Sequence, residues 1–222
     1  MSQIVPLQQL ADILEGDLFY DELHKIIYST DASTYQIKPI AVARPKTVAD
    51  IQALVRFAND HEIPLTPRTA GTSLAGQTVG SGIIVDVSKY FTQIVSFDKE
   101  NKTVTVQPGV IRDELNLFLK PHGLFFGPNT STSNRCMIGG MVGNNSSGTT
   151  SIRYGVTRDK IVELKAILSD GSATVFKSLS SAEFIEKTKG ESLESKIYNT
   201  LYEELSNAET QKEIVKEFPK PE

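Results

Sequence analysis

The sequence predicts an α+β fold built from two α/β subdomains, a small parallel βαβ unit and then a mainly antiparallel sheet with flanking helices. Three observations predict it. Between residues 40 and 87 the order is strand, helix, strand, glycine-rich loop, strand, with no tight turn to fold the strands back as hairpins. From residue 94 onward, short runs rich in β-branched and aromatic residues come in pairs around tight-turn sequences. The 222 residues are 39% hydrophobic and 23% charged, enough apolar material for a core and too little polarity for a disordered chain.

The elements follow in order. Residues 7–14 and 19–27 carry apolar side chains at helical spacing beside acidic neighbours, the pattern of short amphipathic helices. The polar run Ser29-Thr30-Asp31-Ala32-Ser33-Thr34-Tyr35 reads as turn, and Ile40-Ala41-Val42-Ala43 as a strand ended by Pro45. Thr47 is placed to cap a helix, with Asp50 three residues on at its positive end; Val48, Ile51, Leu54, Val55 and Ala58 would form its buried stripe. Ile63-Pro64-Leu65-Thr66-Pro67 and Gly82-Ile83-Ile84-Val85-Asp86-Val87 are the next strands. Residues 94–98 and 103–107 flank the turn Lys99-Glu100-Asn101-Lys102, and residues 112–119 read as a helix with Leu115, Phe118 and Leu119 inward and Pro121 and Gly123 at its end. Residues 162–168 and 173–176 form a second hairpin around Asp170-Gly171. Beyond Lys177 the chain turns polar and helical, with Ile197, Leu201 and Leu205 in register, and it closes on a linker-like Glu217-Phe218-Pro219-Lys220-Pro221-Glu222.

Several function classes drop out at once. With 23 Lys and Arg against 27 Asp and Glu, the net charge is −4, which argues against a nucleic-acid partner held by bulk charge. One cysteine, Cys136, leaves no internal disulfide and no thiolate set for an iron–sulfur or structural zinc centre, so no metal site is expected. The N-terminal stretch has early acidic residues and no continuous apolar run, reading neither as a secretory signal nor as a transmembrane segment; a cytoplasmic location is the expectation.

Two segments are suited to chemistry. Pro67-Arg68-Thr69-Ala70-Gly71-Thr72-Ser73-Leu74-Ala75-Gly76-Gln77 follows a strand and is rich in small residues whose backbone N–H groups can line a pyrophosphate nest, with hydroxyls from Thr72 and Ser73. Taken alone, an ordinary surface loop explains it equally well. It is not a Walker loop, lacking a Gly-Lys-Ser/Thr, and Gly71 and Gly76 are too far apart for the dinucleotide fingerprint. The second, Gly127-Pro128-Asn129-Thr130-Ser131-Thr132-Ser133 and then Ile138-Gly139-Gly140-Met141-Val142-Gly143-Asn144-Asn145-Ser146-Ser147-Gly148, must be disordered or wrap a polar ligand. Its embedded Ile138, Met141 and Val142 favour wrapping. Amides and hydroxyls without catalytic charge suit the ring edge, ribityl chain and phosphates of a flavin.

In this order, and with Gly82-Ile83-Ile84-Val85-Asp86, Gln107-Pro108-Gly109-Val110 and Tyr154-Gly155, these motifs resemble the FAD-binding domain of the vanillyl-alcohol oxidase / p-cresol methylhydroxylase (PCMH-type) family over about residues 40–176. Within it the chain is similar to the FAD-linked dehydrogenases of D-2-hydroxy acids, the D-lactate, glycolate and D-2-hydroxyglutarate class. The stretch Arg135-Cys136-Met137 through Gly148 is similar to large members fused to a C-terminal iron–sulfur module. The resemblance implies an FAD-binding domain at 39–177 that is incomplete at its C-terminal end, flanked by the helical segment at 1–38 and by the charged helical tail at 178–222, which would lead toward further domains. It implies that Pro67, Arg68, Thr69, Ala70, Gly71, Thr72, Ser73 and Gln77 hold FAD on one side. Pro128, Asn129, Thr130, Ser131, Gly139, Gly140, Gly143, Asn144, Asn145, Ser146, Ser147 and Gly148 then form the other wall. Thr69 and Ala70 stand where some members attach flavin through a histidine, so FAD is expected to be non-covalent. The parent protein would oxidise a small D-2-hydroxy acid to the 2-oxo acid by hydride transfer to flavin, passing electrons to an iron–sulfur module or another acceptor. The catalytic base and substrate arginines belong to a cap domain absent from this sequence, so this chain alone is expected to be inactive. In a full-length parent, peripheral attachment to a membrane is compatible with this reading.

Other residues carry plainer readings. His24, His61 and His122 read as surface or helix-end residues, and Cys136 as a small buried one beside the second segment. Arg68 and Arg153 read equally as phosphate counter-charges or solvated arginines, and Asp86 as a strand end without a second carboxylate for acid–base work. Two rivals stay open: a flavin oxidase of a sugar, alcohol or amine on the same scaffold, and a non-catalytic nucleotide-binding module.

Overall fold

A computed structural model describes residues 5–218, and the chain divides into two units, Met1–Ile161 and Val162–Glu222. The first four residues of the N-terminal stretch and residues 219–222 of the expected linker lie outside the described residues.

The first unit opens with α1 (Leu7–Ile13), β1 (Asp17–Phe19) and α2 (Glu22–Ile27). Phe19, expected at the head of a helix, is instead the end of a strand pairing antiparallel with β2 (Ala41–Arg44), Phe19 opposite Val42. Three residues are too few to show an alternation, so this strand exists by its partner rather than by its own pattern. Next come α3 (Val48–Asp60), β3 (Leu65–Arg68) and β4 (Ile83–Asp86). The sheet order is β1-β2-β4-β3, and β4 runs parallel to both of its neighbours.

Alternation along the two central strands fills both faces of this sheet. Ala41, Ala43, Ile83 and Val85 pack with Leu10 of α1 and with Leu54 and Phe57 of α3, while Val42 and Ile84 face the other way onto Tyr28. Helix α3 starts where the sequence places it, with Thr47 and Asp50 in a reciprocal capping box. Its stripe is rotated from expectation: Val48 is 51% exposed and the inward position in the first turn belongs to Asp50. The buried Asp50 carboxylate accepts from the backbone N–H groups of Glu15 at 2.9 Å, Gly16 at 3.1 Å, Lys46 at 2.7 Å and Thr47 at 3.2 Å. One side chain thereby ties the α1–β1 turn to the head of α3.

Beyond β4, β5 (Ile94–Asp98) and β6 (Thr103–Val106) form an antiparallel ribbon. Asp98 closes its turn by accepting from the N–H groups of Glu100 and Asn101, both at 3.0 Å. The ribbon packs through Phe97, Val104 and Val106 on a second core made by α4 (Arg112–Leu119) and α5 (Ile138–Gly143), centred on Leu115, Leu119, Ile138 and Met141. Phe118, expected inward, is 38% exposed and sets its ring edge-on to Phe97. A short helix α6 (Ser151–Tyr154) and a 3₁₀ turn at Thr157–Lys160 close the unit.

In the second unit, β7 (Glu163–Ile167) pairs antiparallel with β8 (Ala173–Lys177) and is followed by α7 (Ser181–Thr188), α8 (Leu193–Ser206) and α9 (Ala208–Glu217). Outside the four-stranded sheet, the strands of the described residues form two separate two-stranded antiparallel ribbons. The Lys187 ammonium and the Thr174 hydroxyl converge on Glu194, joining β8, α7 and α8. No helix of the described residues is long and apolar enough to cross a membrane.

Burial works to raise the Asp50 carboxyl, but the backbone N–H groups of Lys46, Glu15, Thr47 and Gly16 outweigh it and hold the group below its ordinary value. A carboxylate lowered in the folded state contributes fully above the ordinary aspartate value of about 3.9 and loses that contribution as pH falls through the lowered one. Asp50→Asn should therefore cost about 1–3 kcal/mol at pH 6, with the gap to the wild type narrowing below about pH 4. Denaturant unfolding at the two pH values checks this, and a gap independent of pH would contradict it.

Candidate functional site

Both glycine-rich segments lie in the first unit. The first leaves the end of β3 at Arg68 and returns to β4 at Ile83. It turns at two glycines with positive φ, Gly71 at +65° and Gly76 at +71°. The backbone N–H groups of Thr69, Ala70, Gly71 and Thr72 donate to no other described residue. Four unengaged donors in sequence beside a left-handed glycine are what an oxyanion needs from a loop.

The polar turn at residues 28–36 underlies this loop. The Ala32 N–H donates to the Gly71 carbonyl at 3.1 Å, and a β-carbon on Gly76 would come within 2.6 Å of the Tyr35 ring. Thr78 donates its hydroxyl to Asp31 at 3.2 Å, and the Ser33 N–H donates to the same carboxylate at 2.8 Å. Burial acts to raise the Asp31 carboxyl, but the hydrogen bonds from Ser33 and Thr78 hold it below its usual value. Arg68 is not a free counter-charge: its guanidinium donates to the carbonyls of Thr30 at 2.8 Å and Thr78 at 3.4 Å.

The second segment is a chain of short supported turns. Gly127 and Pro128 are buried; Arg112 Nε donates to the Pro128 carbonyl at 3.1 Å, and Asn116 accepts from the Phe126 N–H at 2.6 Å. The Thr130 hydroxyl lies 3.1 Å from the Cys136 sulfur, and Ser131 is exposed. Helix α5, which sequence composition hides because half of it is glycine, is held by the N–H groups of Ile138 on Val110 and of Gly139 on Pro108, at 2.9 and 2.8 Å. After it, Asn145 adopts φ +45° and accepts from the Arg158 N–H at 3.0 Å, while the Ser146 carbonyl takes the Thr157 hydroxyl at 2.6 Å. Gly143, Asn144, Asn145 and Ser147 are exposed, and Gly148 packs directly on the Asn129 carbonyl.

The two segments meet. Gln77 donates its side-chain amide to Asn144 Oδ1 at 2.9 Å, with Ser73 donating to Gln77 and Asn144 in turn reaching Ser146 at 3.4 Å. A β-carbon on Gly140 would stand 2.6 Å from the Thr69 hydroxyl, so a side chain there would force that hydroxyl to move. Neither segment contains an aspartate or glutamate. Free backbone amides with no carboxylate beside them fit a dianionic diphosphate.

The remaining candidates sit elsewhere. His24 stacks on Phe19, His61 on Phe57, and His122 tilts against Phe97. Cys136 is buried 3.6 Å from the Met141 sulfur, and Arg153 lies over the Tyr154 ring. Sequence reasoning missed Tyr28, Arg44, Asp31 and Tyr35 as supports of the first loop, and Arg112 and Asn116 as supports of the second. No local pattern marks such residues, because each acts across the fold.

Comparison with known proteins bears on this arrangement. A family model described as FAD binding domain matches residues 39–177. A D-2-hydroxyglutarate dehydrogenase of Haemophilus influenzae (strain ATCC 51907 / DSM 11121 / KW20 / Rd) is 38% identical over 211 residues, 92% of this chain and 20% of that protein. A glycolate oxidase subunit of Bacillus subtilis (strain 168) is 38% identical over 167 residues, 74% of this chain and 36% of that one. Among solved structures, the BBE-like 1 protein of Physcomitrella patens superposes with a TM-score of 0.68 at 22% identity, covering 77% of this chain and 37% of its own. The chain thus spans about a fifth of the length of the D-2-hydroxyglutarate dehydrogenase it matches.

Because Gly148 has no room for a side chain against the Asn129 backbone, Gly148→Ala should push the two ends of the second segment apart. We expect a loss of about 1–3 kcal/mol in denaturant unfolding, with α4 and the first sheet retaining their amide protection. Unchanged stability would show that this contact is not held.

Proposed function

The chain belongs to the FAD binding domain family, and on that premise we propose that it is the cofactor-holding part of a protein that oxidises a D-2-hydroxy acid to the 2-oxo acid. The observation that carries the reading is the pair of touching, carboxylate-free loops, whose amides and hydroxyls fit FAD. The 38% identity to a D-2-hydroxyglutarate dehydrogenase supports the substrate class.

Residues 67–73 take the pyrophosphate, chiefly through the unengaged N–H groups of Thr69 to Thr72, with the Thr72 hydroxyl beside them and the Ser73 hydroxyl turned to Gln77. Gln77 continues the same side toward the flavin, and residues 128–131, Gly139, Gly140 and residues 143–148 form the facing wall, which orients the remainder of the cofactor by amide and hydroxyl contacts. When bound, FAD supplies the two-electron acceptor for the hydride of the substrate's α-carbon. The chain's own residues bind and orient; the groups that hold the hydroxy acid and remove its proton belong to the rest of the protein, as does the path to the electron acceptor. Attachment is non-covalent, since Thr69 and Ala70 offer no nucleophilic ring nitrogen. A cytoplasmic setting goes with this reading, as the one cysteine needs no oxidising compartment.

The purified chain should bind added FAD and release it intact on acid precipitation. Gly71→Val should weaken that binding by about tenfold or more, because valine at φ +65° is strained and its β-carbon would meet the Arg68 guanidinium at 2.6 Å. Flavin fluorescence titration of both proteins is the check, and equal affinity would remove the pyrophosphate assignment. With the complete protein, turnover of D-2-hydroxyglutarate but not its L-enantiomer would support the substrate class; turnover of a sugar or amine instead would overturn it.

A further inference from the structure

The parallel strands β2, β3 and β4 end in Arg44, Arg68 and Asp86. Asp86 is 5% exposed and accepts a 2.5 Å hydrogen bond from the Tyr28 hydroxyl and a 2.8 Å one from the Ser88 N–H. Arg44 donates through Nε at 3.1 Å and Nη2 at 2.9 Å to the same Tyr28 oxygen, and its Nε lies 3.8 Å from Asp86. Tyr28 is fixed in place by these bonds, and its ring is offered to Arg68, whose Cζ lies 5.1 Å from the ring centroid. The Arg68 guanidinium also fills the space a β-carbon on Gly71 would need, and its Nη1 binds the carbonyls of Thr30 and Thr78, the latter at the far end of the loop.

We infer that Arg68 is the positioning residue of the first loop: seated on Tyr28 and bonded both to the turn beneath the loop and to the loop's far end, it sets the left-handed turn at Gly71 that leaves the neighbouring N–H groups free. The inference rests on the cofactor reading above and deepens it. Asp86, Tyr28 and Arg44 then serve the site without touching the ligand. The planar fork is what matters, since it stacks, reaches two carbonyls and fits beneath a glycine at once. A lysine would keep the charge and lose the geometry.

The test uses the full chain with Arg68→Lys, Arg68→Met, Tyr28→Leu and the double variant Arg68→Met/Tyr28→Leu, each checked by thermal unfolding. Two readouts are taken: FAD and ADP affinity, and amide exchange of residues 69–76 without ligand. The expected result is that Lys and Met at 68 weaken both ligands alike, by roughly tenfold, that Tyr28→Leu adds little on top of Arg68→Met, and that exchange rises in the loop. Arg68→Lys binding within twofold of wild type would assign Arg68 to counter-charge and overturn the inference. If the wild type itself bound no FAD, the cofactor reading would fail while loop exchange still decided on Arg68; unchanged exchange in Arg68→Lys and Arg68→Met would reject it. Should Tyr28→Leu unfold, the two Arg68 variants decide alone.

Discussion

Parallel strands deliver their carboxyl ends to a single edge of a sheet, and in the first unit that edge gathers two arginines and a buried aspartate. A buried carboxylate is tolerated only where donors meet it, and Asp86 recruits them from 58 residues away in Tyr28. That requirement draws the segment after α2 across the sheet edge, where it becomes the support of the first glycine-rich loop through Ala32, Asp31 and Tyr35. Burial and the Asp86 carboxylate push the Tyr28 hydroxyl above its ordinary value, so it stays a protonated donor over the whole neutral range.

A second constraint is contact between the loops themselves. The first belongs to the sheet and the second to the α4–α5 core, yet Gln77 bonds Asn144 across 67 residues, and Gly140 admits the Thr69 hydroxyl against α5. The glycines that look alike in sequence therefore do different work. Gly71 and Gly76 supply left-handed turns, while Gly140 and Gly148 supply room for a neighbouring hydroxyl or carbonyl. Small residues here serve surface complementarity as much as backbone freedom.

Much of this was legible in the sequence where a local signal exists. Thr47 and Asp50 announce the head of α3, residues 112–119 coincide with α4, and the three parallel strands and both hairpins follow from their patterns. The family model covers nearly the span over which the ordered motifs show their resemblance. What escaped detection is held by distant partners. Strand β1 is three residues borrowed by β2; α5 is half glycine and stands on Val110 and Pro108; Val48 cedes its inward place to a carboxylate that four N–H groups made safe to bury. Arg68 could be read from sequence only as charge, because its ring contact and its two carbonyls lie on other elements.

We propose that the two segments form one groove for one cofactor. It is tested most directly by a titration of the isotopically labelled chain with FAD, following backbone amide resonances. The amides of residues 69–72 and of residues 143–148 should shift together, with one dissociation constant, and ADP alone should move the first set. Shifts confined to a single segment, or centred away from both, would contradict it.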